Sequence, residues 1–273
     1  MNMQQIPLLV YTNSKYHDVL SIFLKQIVIH CQQENFEMIP EIYILSDSDP
    51  LGLTLENSLF RESEPSIQQA VRWVKYSDHE PYWSHIFTAL STRDMRKYPY
   101  VLFMQDDFWI NGKFNFASLL PLIRIFDEIK GLSFIRLLAS GCDIFSYKNP
   151  HKFERSLINF NRDFYFVHPL CSHPYSMQAT IWRRQDFLNF IFVARRDLVW
   201  QEPDVAYGLA MVRLGILGIA SKKSKIPYVA TAVEKGYWNL SPAMQQAYHL
   251  MGLESVKDIL ERHAVDPNIR GWR

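Results

Sequence analysis

The chain has 273 residues, and Lys+Arg 29 against Asp+Glu 28 leave a formal net charge of +1. That balance argues against a nucleic acid held by bulk charge, because such binding needs an excess of phosphate-neutralising cations. With 48% hydrophobic residues and only 10 Gly, the composition is that of a globular protein, not of a disordered or low-complexity chain. Cys31, Cys142 and Cys171 lie far apart without a CxxC spacing, which excludes a sequence-local zinc ribbon and reads as three core thiols in a reducing compartment. The N-terminus has no basic leader pattern, and the apolar runs around Val101–Met104 and Leu214–Ala220 are too short to cross a bilayer. The expected location is cytoplasmic, without a transmembrane segment, with peripheral contact at the inner face of a membrane still open.

In chain order, Pro7–Thr12 is a short apolar run predicted to be a strand. Lys15–Cys31 has apolar residues at helical spacing after an Asn13-Ser14 cap, and Glu41–Leu45 is a second strand-like run. This β-α-β order predicts a predominantly parallel mixed sheet flanked by helices, of Rossmann type, whose strand ends at Tyr11–Ser14 and Ser46–Asp49 edge a ligand pocket. Residues 50–80 are polar and without clear period. Trp83–Met95 then reads as a helix with Trp83, Ile86, Phe87 and Leu90 on one face, and Tyr100–Met104 as a strand running into Gln105-Asp106-Asp107-Phe108-Trp109. Helices are predicted over 116–129, 185–193 and 203–214, and strands over 132–138, 176–183, 217–220 and 228–233. Residues 139–174 lack a period, and Ser241-Pro242 opens a C-terminal helical region. The expected organisation is one catalytic domain over 1–240, its nucleotide part about 1–138 and its acceptor part about 139–240, followed by a helical extension over 241–273.

The chain has no GxxxxGK[ST] loop, no GxGxxG after the first strand, no GxSxG elbow and no HExxH helix. What remains is the carboxylate pair Asp106-Asp107 at the end of an apolar strand. Mg²⁺ or Mn²⁺ takes oxygen ligands, is often held by one or two carboxylates, and completes its shell with water and phosphate oxygens. The plain alternative is an Asx turn or a helix cap. Arg136, on an otherwise apolar strand, calls for an anionic partner such as a carboxylate or a phosphate.

The order β-α-β, Trp83-Ser84, the strand YVLFM and then Gln105-Asp106-Asp107-Phe108 resembles the GT-A class of nucleotide-sugar glycosyltransferases. Within it the chain resembles a bacterial group with a Gln-acid-Asp-Phe version of the metal motif. Gln178–Arg183, Trp200-Gln201-Glu202 and Lys235–Trp238 match in order, so the resemblance covers residues 7 to about 240. It implies a nucleoside-diphosphate sugar donor, a glycan or lipid-linked acceptor, and Mn²⁺ or Mg²⁺ with Asp107 as principal ligand and Asp106 touching ribose or metal. It also implies that Tyr11, Thr12, Asn13 and Asp47 or Asp49 meet the nucleoside, against a solvated turn as the other reading of the two aspartates. Gln105 departs from the commoner acid-x-acid pattern.

An inverting transfer needs a carboxylate base for the acceptor hydroxyl. Glu202 and Asp204 supply two candidates; Glu202 is the choice, because Asp204 stands where a helix cap is expected. Trp109 and Trp200 adjoin the candidate carboxylates and are expected to offer a surface to a sugar. Two further function classes stay open: a nucleotidyltransferase on a related sheet, and a non-catalytic protein that keeps the fold and binds nucleotide or sugar.

Overall fold

The computed structural model describes residues 6–17, 19–20, 22–24, 26–27, 40–48, 71–110, 112, 116–149, 152–198, 201–229, 233–234 and 237–238. Of residues 145–149, 152–155 and those after 227 it describes the backbone only. Cys31, Asp49, Trp200, Lys235, Gly236 and the segment 241–273, which all carry expectations above, lie outside the described residues.

The chain is mixed α/β, as its alternation of strand and helix patterns leads one to expect. Strands β1 (Leu8–Tyr11), β2 (Ile42–Ser46) and β3 (Val71–Lys75) come first. Helix α1 (Tyr82–Ser91), β4 (Tyr100–Gln105), β5 (Trp109–Ile110), α2 (Leu120–Glu128) and β6 (Leu132–Arg136) follow. Next are β7 (Ile144–Asn149), β8 (Lys152–Ser156), β9 (Ile158–Asn159) and β10 (Phe164–Val167). Then come β11 (Thr180–Arg183), α3 (Arg184–Ala194), α4 (Val205–Leu214), β12 (Leu217–Ser221) and β13 (Tyr228–Val229).

The described residues fall into two compact units. The first takes those between Leu8 and Lys75, Met104–Ser118 and the chain after Lys225; the second takes Tyr76–Phe103 and Leu119–Lys225, with Ile6 and Pro7. In the first unit β1 and β2 pair in parallel, Leu8 opposite Ile42 and Tyr11 opposite Leu45, and β2 pairs in parallel with β3. Leu8, Leu9, Val10 and all of β2 are buried, as strands covered on both faces require. β3 buries Val71 and Val74 and leaves Arg72 and Lys75 exposed, the mixed exposure of an outer strand. The described residues from 17 to 27 are helical. Gln26 among them is buried and clasps β5, its amide accepting from the Ile110 N–H at 2.9 Å and donating to the Ile110 carbonyl at 3.2 Å.

In the second unit the strand order is β4-β11-β6-β12-β10-β9. β11 is antiparallel to both β4 and β6, β6 and β12 are parallel, and β10 is antiparallel to β12 and β9. Its core is aromatic: Trp182 stacks on Phe187 at 4.7 Å between ring centroids, and Phe134, Phe190, Tyr175 and Tyr207 close around them. Segment 139–174, for which sequence periodicity predicts nothing, holds the antiparallel hairpin β7–β8 and strands β9 and β10.

Helix α1 differs from its prediction in two respects. It stops at Ser91 because the Thr92 hydroxyl donates to the Ala89 carbonyl at 2.9 Å and the chain turns out at ψ 151. Its buried face is Tyr82, His85, Ile86, Ala89 and Leu90, which rotates Trp83 and Phe87 outward onto Phe192 of α3. Gly208 of α4 is fixed by close approach: a Cβ there would lie 2.1 Å from the carbonyl oxygen of Pro169.

Candidate functional site

The carboxyl ends of β1 and β2 and the turn after β4 carry polar side chains that meet one another within the first unit. Thr12, just past β1, is buried, and its hydroxyl donates to Asp106 Oδ2 at 2.5 Å. Its own N–H donates to Leu45 of β2 at 3.0 Å, so backbone pairing with β2 sets where that hydroxyl points. The next residue, Asn13, accepts from the Lys15 N–H at 3.0 Å and thereby caps the short turn Ser14–Tyr16.

Asp47, just past β2, grips the same turn. It accepts from the Ser14 N–H at 2.6 Å and from the Ser14 hydroxyl at 2.7 Å, and Ser46 donates to it at 3.2 Å. Partial burial pushes its carboxyl up, but the Ser14 and Ser46 hydrogen bonds outweigh that and hold it below the ordinary carboxylate range. His17 Nε2 lies 3.2 Å from the Ser46 hydroxyl and completes the network. Asp47 thus ties the end of β2 to the turn after β1.

Asp106 and Asp107 are 3% and 6% exposed, so the acid pair is buried at the end of β4. A buried carboxylate needs charge or hydrogen-bond compensation, and Thr12 supplies part of it to Asp106. Among the described residues no three His, Cys, Asp or Glu side chains gather as a metal cage. Two carboxylates with oxygen-only chemistry still fit a hard divalent cation that takes its remaining ligands from water and phosphate. The segment after the pair is anchored by Gln26 through both backbone groups of Ile110. No sequence signal marked Gln26, since an isolated Gln inside an apolar helix declares no partner.

Trp109 corrects an expectation: it is fully buried, a core side chain beside the acid pair in sequence, with no face to offer a sugar. The pairing of β5 with β13 encloses it in the first unit. Tyr11 is half-buried at the end of β1. Trp200 lies outside the described residues.

The second unit holds the other candidates. Asp204 accepts from the Ala206 N–H at 2.8 Å as the N-cap of α4 and pairs with Arg196 at 2.6 Å, which gives it a structural occupation. Glu202 accepts from the Met177 N–H. Burial pushes its carboxyl above the ordinary range, against the pull of that N–H and of Arg136. Tyr207 is also pushed up, first by burial and then by the Glu202 charge.

Arg136 is 1% exposed, but the anion expected for it is replaced by carbonyls. Its terminal nitrogens donate to the carbonyls of Ser140 at 3.2 Å, His173 at 2.9 Å and Pro174 at 3.3 Å, and to Cys142 Sγ at 3.3 Å. Five fixed N–H donors suit a clasp on loop backbone as well as a phosphate, and here they join 140–142 to 173–174. Cys142 and Cys171 are free, buried thiols whose pKa burial pushes up, that of Cys171 to about 11. His168 accepts from the Leu170 N–H at 3.0 Å, a turn within its own loop.

No family model matches the sequence, and no curated protein resembles it in sequence. Among solved structures, the catalytic domain of Drosophila beta1,4galactosyltransferase 7 is 11% identical with a TM-score of 0.40, covering 83% of this chain and 71% of that one. A cytidylyltransferase from Leptospira borgpetersenii is 10% identical with a TM-score of 0.46, covering 97% of this chain and 96% of that one. S. aureus TarS, residues 1–349, is 15% identical with a TM-score of 0.44, covering 97% of this chain and 73% of that one. Likenesses this distant assign neither a family nor an activity.

Proposed function

We propose that the chain is a glycosyltransferase that moves a sugar from a nucleoside-diphosphate donor to a glycan or lipid-linked acceptor, with inversion, assisted by Mn²⁺ or Mg²⁺ at Asp107 and Asp106. The observation that carries this reading is the buried Asp106-Asp107 pair at the end of β4, with Asp106 held by Thr12 from the end of β1. The order of motifs in the sequence adds to it.

Bound there, the cation would neutralise the diphosphate leaving group. Thr12 orients the Asp106 carboxylate, and Gln26 holds the strand that follows the pair. Asp47 shapes the turn after β1 for the nucleoside through Ser14. Glu202 takes the proton of the acceptor hydroxyl. Its raised pKa, a consequence of burial, makes it a stronger base than an ordinary carboxylate.

Calorimetry with UDP, GDP and CDP, each with and without Mn²⁺, tests the assignment. One diphosphate is expected to bind only with metal, and Asp107→Asn is expected to weaken that binding at least tenfold while leaving thermal unfolding within a few degrees of wild type. Full metal-dependent binding by the variant sinks the metal assignment. Preference for a triphosphate moves the protein to nucleotidyl transfer, and binding of none makes it a non-catalytic relative.

A further inference from the structure

The second unit buries three tyrosines around Met177. Tyr82 and Tyr175 spend their hydroxyls there: the two oxygens lie 2.7 Å apart, and Tyr82 donates to Met177 Sδ at 2.5 Å. Tyr207 of α4 completes the cluster, its ring centroid 4.7 Å from that of Tyr175 and 5.7 Å from that of Phe190. It is 1% exposed, and among the described residues its buried hydroxyl has no hydrogen-bond partner. Phenylalanine would fill the same space without stranding a donor, so packing gives no reason for the oxygen.

Glu202 supplies one. It joins the cluster through the Met177 N–H, which it accepts with Oε1, and a carboxylate has a second oxygen and room for further donors. Backbone bonds tie the two residues together. The Asp204 N–H donates to the Gln201 carbonyl at 2.8 Å and the Tyr207 N–H to the Asp204 carbonyl at 3.1 Å, so the turn that carries Glu202 runs directly into the first turn of α4. Burial first, and then the Glu202 charge, hold the proton on Tyr207, which keeps the phenol a donor. The other charges on the pair are Arg136 on Glu202, and Arg196 and Asp204 on Tyr207; the last two bind each other at 2.6 Å.

Resting on the reading of Glu202 as the base, we propose that Tyr207 is its positioning residue: in the ionised, proton-accepting form of Glu202, the Tyr207 hydroxyl donates to the second oxygen of the carboxylate. The Met177 N–H and the Tyr207 O–H then hold one oxygen each. Two donors fix the orientation of the carboxylate towards the acceptor hydroxyl, and they stabilise a charge that burial opposes.

Carbon-13 NMR of the full chain labelled at glutamate Cδ reads the ionisation of Glu202 directly, its signal being the one lost in Glu202→Gln. Tyr207→Phe is expected to raise the midpoint of that titration by roughly a pH unit or more, for the loss of one hydrogen bond to a charged group. Tyr175→Phe removes a hydroxyl that is spent elsewhere in the cluster, and is expected to leave the midpoint in place. Both variants keep the ring, and their circular dichroism should match wild type. If Glu202→Gln still transfers sugar at the full rate, the base reading falls and this role with it. If that variant loses transfer while Tyr207→Phe leaves the midpoint unmoved or lowers it, the proposal alone is overturned. An equal rise in Tyr175→Phe also overturns it, because the shift then reports packing and not the hydroxyl.

Discussion

Thr12 and Asp106 stand 94 positions apart and meet at 2.5 Å. A buried aspartate with a hydroxyl donor keeps its charge at lower cost than one without, and its orientation is fixed. Sequence shows the acid pair because it follows directly on an apolar strand. It does not show which partner each acid takes, since that depends on strand order across distant segments. Arg136 makes the same point from the other side: its burial is legible from its apolar neighbours, but the carbonyls that satisfy it come from a loop with no periodicity. Glu202 yields a prediction at this scale. Its folded pKa is raised, so the native state holds a proton that the unfolded chain releases once pH exceeds the ordinary carboxylate value. Stability attributable to this group is full below that value and falls as pH rises towards the folded pKa. Glu202→Gln keeps an acceptor for the Met177 N–H and removes the charge. Urea unfolding is expected to show the variant at least as stable as wild type at neutral pH, with a flatter dependence on pH above the ordinary range. Sugar transfer, if Glu202 is the base, is expected to fall about 10²–10⁴-fold.

Among the elements, those with a strong period or a continuous apolar run were readable: β1, β2, β4, β6 and α2 lie where their patterns place them. β3 is not, because VRWVK does not alternate: Val71, Trp73 and Val74 put apolar side chains on both faces of a short strand within a polar stretch. In helix α1 the pattern places Ile86 and Leu90 in the buried face, where they lie, but it does not separate Trp83 and Phe87 from them, because these share the helical spacing and only the packing of α3 decides. Gly208 in α4 looks from sequence like a helix weakener. Its reason is the Pro169 carbonyl, which a Cβ would approach to 2.1 Å. Both atoms belong to backbone or to a short rigid link, so neither yields easily. Gly208→Ala gains helix propensity of roughly 1 kcal/mol and loses more to overpacking, commonly about 1–3 kcal/mol. Net destabilisation in chemical unfolding is the expected outcome, and a stabilised variant would show that the loop 168–174 moves aside at little cost.

At the level of the whole molecule, a formal charge of +1 leaves no field to gather an anionic ligand, so affinity for a diphosphate must come from local compensation. Among the described residues that compensation cannot come from Arg136, whose terminal nitrogens are engaged with carbonyls and a thiol. When ionised, the buried acid pair would repel a diphosphate without a cation between them. Metal and nucleotide should therefore stabilise the protein together and neither alone to the same degree. A ligand at a hundredfold excess over its Kd adds about 2.7 kcal/mol. At roughly 2–4 °C per kcal/mol for a chain of this class, the melting temperature should rise by roughly 5–10 °C with Mn²⁺ and the preferred diphosphate. EDTA should abolish the shift. A shift of the same size with the nucleotide and EDTA would mean that the diphosphate is held by cationic side chains, and that the acid pair serves the fold instead.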